Sequence, residues 1–152
     1  MQPDKTDMRI MAILQEEGRL SNAKLAEKLS LSETPCWRRL KQLEQEGYIE
    51  GYQANINRRK LGLGVLAFVQ ISFAQQDAVN AEFEQTIQDC PNILTCHNTT
   101  GAADFLLQVV AKDLDDYSHF LEEVLRKIPG VASIHSNLSL REVKSSHHLP
   151  VG

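Results

Sequence analysis

No run of eighteen apolar residues occurs anywhere in the chain, so no segment is built to cross a bilayer as a helix. The start of the sequence also lacks the charged, apolar and small-residue blocks of a secretory leader, and we expect a cytoplasmic protein with no membrane partner. Cysteine is scarce. Cys36, Cys90 and Cys96 are an odd number without C-x-x-C spacing, which excludes a disulfide framework and suits a reducing compartment. Cys96 and His97 are adjacent, but neighbours on an alternating segment point to opposite faces, so no metal site is expected. Patterns of catalysis are missing too. There is no G-x-G-x-x-G, P-loop or H-E-x-x-H, and His97, His119, His135, His147 and His148 follow no ligand rhythm. Without a clustered nucleophile, base or cofactor loop, we expect a protein that is not an enzyme and carries no cofactor.

A large charge of one sign is also absent, since the net charge is −4 over 152 residues. Its distribution is uneven. Residues 1–60 hold 11 Lys and Arg against 9 Asp and Glu, a balance of +2; residues 61–152 hold 5 against 11, a balance of −6. Only the first part is suited to face phosphate. Its charge is modest enough that one copy would bind weakly, which favours several copies acting together.

What is present sits mainly in residues 21–47, where two short amphipathic patterns are split by a tight polar turn. Ser21 is placed to cap a helix from Asn22 to Leu29, and Ser30, Leu31 and Ser32 leave room only for a turn. Ser32 would cap a second helix, with Glu33 against its positive end and Pro35 in the first turn, where a missing N–H is tolerated. Gly47 ends it. At about 100° per residue, Cys36, Leu40 and Leu43 share an inner stripe facing Leu25 and Leu29, and Thr34, Arg38, Lys41 and Gln45 point the other way. This is the sequence form of a helix-turn-helix reader of double-stranded DNA. Arg38 is the side chain best suited to a bidentate contact with a guanine edge, with Lys41 on a base or phosphate and Thr34 near the groove floor. Trp37 and Arg39 lie on the flanks, in reach of either a phosphate or a packing role.

Asp4 to Glu17 reads as a preceding helix stopped by Gly18. After the motif, Tyr48 to Ile56 alternates and contains Gly51, as a small wing or connecting strand would. A polar hinge with Arg58 and Arg59 follows. The rest changes rhythm: strand Val65–Phe73, helix Ala78–Cys90, strand Ile93–Thr99, a turn at Gly101, strand Phe105–Ala111, helix Leu114–Ile128 closed by Pro129-Gly130, and strand Val131–Val143. That order is the ferredoxin-like βαββαβ unit. Both helices would cover one face of its sheet. Leu66, Phe68, Phe105, Leu107 and Val109 are too many for two helices to bury, so a second subunit is expected on the other face.

Across nearly its whole length the chain resembles the Lrp/AsnC family of bacterial and archaeal transcriptional regulators. The resemblance rests on Asp7 with Ile10, Ile13 and Leu14, on Gly18 to Asn22, on the string Thr34 to Glu44 with Gly47 and Ile49, and on Thr99-Thr100-Gly101, Asp104 to Leu107, Pro129-Gly130-Val131 and Glu142-Val143-Lys144. It implies an α+β protein: a winged helix-turn-helix domain at 1–55, a linker at 56–64, and a ferredoxin-like RAM domain for effector binding and oligomerisation at 65–152. It implies dimers, commonly four to a ring as an octamer, associated with the nucleoid. It further implies an amino acid effector bound between RAM domains by Thr99, Thr100, Gly101 and Asp104, with Ser136 reaching in from an adjacent subunit. Leucine, methionine and cysteine are the candidates. Thr34, Trp37, Arg38, Arg39, Lys41 and Gln45 would serve DNA. Relatives often carry an aromatic before the aspartate, whereas Ala102-Ala103 here leave the pocket roomier. The alternative reading is an architectural protein that wraps DNA with little sequence choice and no effector.

Overall fold

The computed structural model describes residues 1–75 and 81–152. It divides into two compact units, one formed by Met1–Asn55 together with Lys144–Gly152, the other by Ile56–Val143.

In the first unit, helix α1 spans Lys5–Glu16, α2 Asn22–Leu29 and α3 Glu33–Gln45. Each start has a local cause. Asp4 caps α1 by accepting the Asp7 N–H at 2.8 Å, and Asp7 accepts the Asp4 N–H at 3.0 Å, a reciprocal box that satisfies two amides the helix cannot. Ser21 caps α2 through the Lys24 N–H. Ser32 has the same extended backbone before α3, but its hydroxyl makes no capping bond. The reason is Pro35: it occupies the third helical position, where the Ser32 oxygen would look for an N–H that proline lacks. The Asn22 amide instead ties α2 to α3 by donating to the Glu33 carbonyl at 3.0 Å. Ile10, Leu14, Leu25, Ala26, Leu29, Cys36 and Leu43 form the core, with Leu40 and Ile49 packed against it. The alternation of Tyr48 to Ile56 does not become a strand: residues 50–56 are irregular, and the first unit has no strand among the described residues for them to pair with.

In the second unit, β1 (Val65–Phe73), β2 (Ile93–Asn98), β3 (Phe105–Ala111) and β4 (Val131–Leu138) make one antiparallel sheet in the order β2-β3-β1-β4. Helix α4 is described over Ala81–Asp89; its expected start at Ala78 lies outside the described residues. Helix α5, Leu114–Phe120, is capped by Asp113 and widens into a π turn over Leu121–Leu125, closed by the Arg126 N–H on the Leu121 carbonyl. Strand β4 ends five residues short of Val143, since its ladder to β1 runs out at Leu138 and Ser139 donates the last bond to Leu66.

The apolar residues expected to await a second subunit are divided by the pleat. Leu107 and Val109 belong to the core, fully buried with Ala67, Val69 and Ile71, and Phe105 packs edge-to-face with Phe73 at 5.9 Å and tilted against Phe83 at 4.8 Å between ring centres. Leu66 and Phe68 alternate to the opposite face, in register with Val110 and Gln108. There Phe68 stays 39% exposed.

The ends of the second unit also differ from expectation. Residues 57–63 form a closed turn, with Leu61, Gly62 and Leu63 N–H groups bonded back to Asn57, Arg58 and Arg59. Arg58 is spent there, donating to the Leu63 carbonyl and pairing with Glu142. The tail from Lys144 onward, assigned from sequence to the second domain, packs with the first unit. The Gln15 amide takes both polar groups of Leu149, donating to its carbonyl at 3.0 Å and accepting its N–H at 2.6 Å, and His148 lies 3.2 Å from Glu16.

Candidate nucleic-acid interface and effector turn

Helix α3 presents Thr34, Trp37, Arg38 and Gln45 to solvent, with Arg39 and Lys41 half-buried. The three neighbouring cations have different surroundings. Arg38 is exposed and makes no ion pair among the described residues. Lys41 lies 3.2 Å from Glu44 and 5.8 Å from the centre of the Trp37 ring. Arg39 turns back to α1, where its Nη1 donates to Asp4 at 2.7 Å and to Asp7 at 3.1 Å.

That last contact is a structural clasp. Asp7 is the one buried charged residue among those described, 4% exposed, and a buried carboxylate persists only with partners such as these. The Asp7 N–H and then the Arg39 guanidinium hold the Asp4 carboxyl down at about 2, and the two carboxylates in turn raise Arg39. Sequence reading missed this clasp. Its local half was readable, as acidic residues three apart before an apolar run; its other half comes from 32 residues further on and leaves no local mark. Burial pushes the Cys36 thiol up, so it serves packing rather than reactivity.

The turn from Thr99 to Asp104 joins β2 to β3. Gly101 takes φ +107°, a conformation other residues adopt only with strain, and a Cβ there would meet open space. Asp104 closes the turn. Its Oδ2 accepts the Phe73 N–H at 2.8 Å, where the β1 to β4 register shifts, its N–H donates to Ile71, and its carbonyl accepts from Thr99 N–H and the Asn98 amide. The Thr99 hydroxyl donates to Ala103 at 3.4 Å, and Thr100 is exposed. The structure thus gathers Thr99, Thr100, Gly101 and Asp104. Ser136 stands apart on β4 opposite Val69, where its hydroxyl meets the Tyr117 hydroxyl rather than the turn. Burial pushes the Tyr117 phenol up, an effect that Ser136 partly offsets. Asp104→Ala removes the partner of the Phe73 amide, and a loss of about 1–2 kcal/mol is expected in urea unfolding of the full chain. An unchanged midpoint would mean that this bond is idle.

Comparison with known proteins places this geometry. The family model described as Lrp/AsnC ligand binding domain matches residues 66–149, and that described as winged helix-turn-helix DNA-binding matches residues 3–50. The chain belongs to the Lrp/AsnC family. It is 43% identical to the Bkd operon transcriptional regulator of Pseudomonas aeruginosa over 141 residues, covering 92% of each chain. It is 35% identical to the leucine-responsive regulatory protein of Escherichia coli K12 over 149 residues, covering 97% of this chain and 91% of the relative. A transcriptional regulator from Neisseria meningitidis, solved as a complex with L-Met, superposes with a TM-score of 0.93 at 39% identity, covering 98% of this chain and 97% of its own. Like other Lrp/AsnC members, the protein is a transcriptional regulator with a DNA-binding head and a ligand-binding domain. No comparison supports the architectural alternative. Among the described residues, no helix is long and apolar enough to cross a membrane.

Proposed function

We propose that this Lrp/AsnC regulator reads pseudopalindromic DNA with the outer side of α3 and adjusts that binding to an amino acid, L-methionine first among the candidates. The observation that carries the DNA half is the exposed Arg38, without an ion pair among the described residues, just ahead of two cations already engaged by the protein. A guanidinium free of internal partners keeps its bidentate donors for a guanine edge. Thr34 and Gln45 flank it. Lys41 supplies a phosphate or base contact, Trp37 a flanking one, and Arg39 is reassigned to holding the helix in place. Two copies of α3 would meet half-sites about 10 bp apart or a multiple of that.

For the effector half, N–H groups around Gly101 and the Thr100 hydroxyl suit a carboxylate, and the Asp104 oxygen not bonded to Phe73 suits an ammonium. Thr99, its hydroxyl already given to Ala103, shapes the turn, and Ser136 would have to leave Tyr117 to reach a neighbouring copy's ligand. The L-Met complex of the Neisseria relative supports methionine; the name of the Escherichia coli relative keeps leucine in contention, and cysteine is the third. The assembly we propose is a dimer, four to an octamer, located in the cytoplasm with the nucleoid and acting without a cofactor or catalytic step.

Calorimetric titration of the full-length protein with L-Met, L-Leu and L-Cys, paired with DNA-binding curves at each saturating amino acid, tests this reading. We expect heat and a shifted DNA curve for at least one of them. Gly101→Trp puts a bulky side chain on the turn, where a Cβ meets no neighbour but the positive φ is strained, and should remove both signals. If no amino acid gives heat, or Gly101→Trp responds as the parent does, the effector site fails.

A further inference from the structure

Lys41 points away from the core of the first unit, yet its charge is not free in the structure. Glu44, one turn later on α3, puts Oε1 3.2 Å from the ammonium, and its other oxygen accepts the Tyr52 hydroxyl at 3.0 Å. The Trp37 ring centre lies 5.8 Å from the same ammonium. The Glu44 side chain is only 27% exposed against 45% for Lys41, so the carboxylate is the better fixed of the two, held from behind by the phenol. Burial and then Glu44 push that phenol up to about 12, which keeps it a hydrogen-bond donor at any working pH. Glu44 and Trp37 therefore hold one ammonium, and Tyr52 holds Glu44.

We infer that Glu44 is an internal stand-in for phosphate that withholds Lys41 from DNA lacking the correct bases. The inference rests on the reading of α3 as the DNA-facing helix. Sequence-independent binding grows with each cation that displaces counterions from the duplex. A lysine already neutralised by Glu44 displaces none until it changes partner. On a correct site, contacts made by Arg38 and Thr34 bring the phosphate close enough to compete. On random DNA nothing holds it there, and Lys41 stays with Glu44. Glu44 thereby lowers the regulator's retention on the large excess of non-target DNA.

The test measures binding of the full-length protein to a random-sequence duplex by fluorescence anisotropy between about 50 and 200 mM salt. Wild type, Glu44→Gln, Lys41→Ala and the double variant are compared. Glu44→Gln should bind random DNA about twofold more tightly per engaged copy near 100 mM salt, with a steeper slope in log salt, by up to about one per engaged copy. The double variant should show no such gain, because the gain belongs to Lys41. A spectrophotometric titration of the tyrosines, with Tyr52→Phe as reference, should place the Tyr52 midpoint lower in Glu44→Gln than in wild type. An unchanged salt slope in Glu44→Gln overturns the inference, as does a gain that survives in the Lys41→Ala background, since it would then be an effect of net charge alone. If Arg38→Ala and Lys41→Ala both bind a specific duplex as wild type does, the failure is instead in the reading of α3 as the DNA-facing helix.

Discussion

Replacing Arg38 and Lys41 together with alanine should lower affinity for a specific duplex by about 100-fold or more, with the thermal midpoint of the protein near that of wild type. The magnitude follows from one bidentate base contact at about 1–3 kcal/mol plus one phosphate contact of about a factor of ten. Stability is spared because Arg38 is exposed, with no ion pair among the described residues, and Lys41 meets only its own helix, the Trp37 ring and Glu44, the latter a surface pair worth a few tenths of a kcal/mol. The single variants separate the roles. Arg38→Ala should relax the preference for the correct base, and Lys41→Ala should weaken binding across sequences. Undiminished affinity in the double variant removes α3 from the interface.

Arg39→Ala gives the opposite pattern, a stability defect centred on the head. It strips the buried Asp7 carboxylate of its counter-charge. Losing one partner of a fully buried pair costs about 3–5 kcal/mol, and the 36% exposure of the Arg39 side chain reduces this to about 2–3 kcal/mol. That is a large share of an ordinary domain's stability. Trp37, the single tryptophan, lies on the same helix and reports unfolding of this unit by fluorescence in urea. Arg39→Lys keeps the charge but loses the planar fork, and should recover only part of the difference.

The pH dependence of that defect has a definite sign. The folded Asp4 carboxyl is depressed from 3.8 to about 2, so its contribution is fully present above about pH 4 and is lost as pH falls through about 2. The Asp7 N–H, the larger cause, stays in Arg39→Ala, so only the Arg39 share of that depression separates the two proteins, and their gap should narrow in part as pH falls from about 4 through about 2. A gap that persists unchanged to pH 2 would show that the Arg39 contribution is one of packing.

Most elements were legible because they rest on local chemistry. The turn Ser30-Leu31-Ser32, the inner stripe of Cys36, Leu40 and Leu43, and the order of strands and helices follow from periodicity and caps. The errors have physical sources. Alternation in Tyr48 to Ile56 promises a strand, but a strand needs a partner, and the first unit has none among the described residues. The failed cap at Ser32 follows from two rules each applied correctly alone, a serine before a helix and a proline within its first turn. Leu107 and Leu66 look alike in sequence, and only register decides that one faces the helices and the other does not. In the candidate sites, residue types were readable but engagements were not: Arg38, Arg39 and Lys41 are three cations within four positions, and distant Asp4 and Asp7 or nearby Glu44 determine which remains available.

The return of the tail to the first unit changes what counts as a detachable part. Because Lys144–Gly152 belongs with Met1–Asn55, the polypeptide leaves the first unit at one point and comes back to it at another, so the second unit, Ile56–Val143, is an insertion in the chain of the first. A cut after Asn55 does not liberate an intact reader, since it discards the strand of main chain that Gln15 grips. Likewise, a peptide fused to the C-terminus is delivered to the neighbourhood of α1, at the reader's end of the chain.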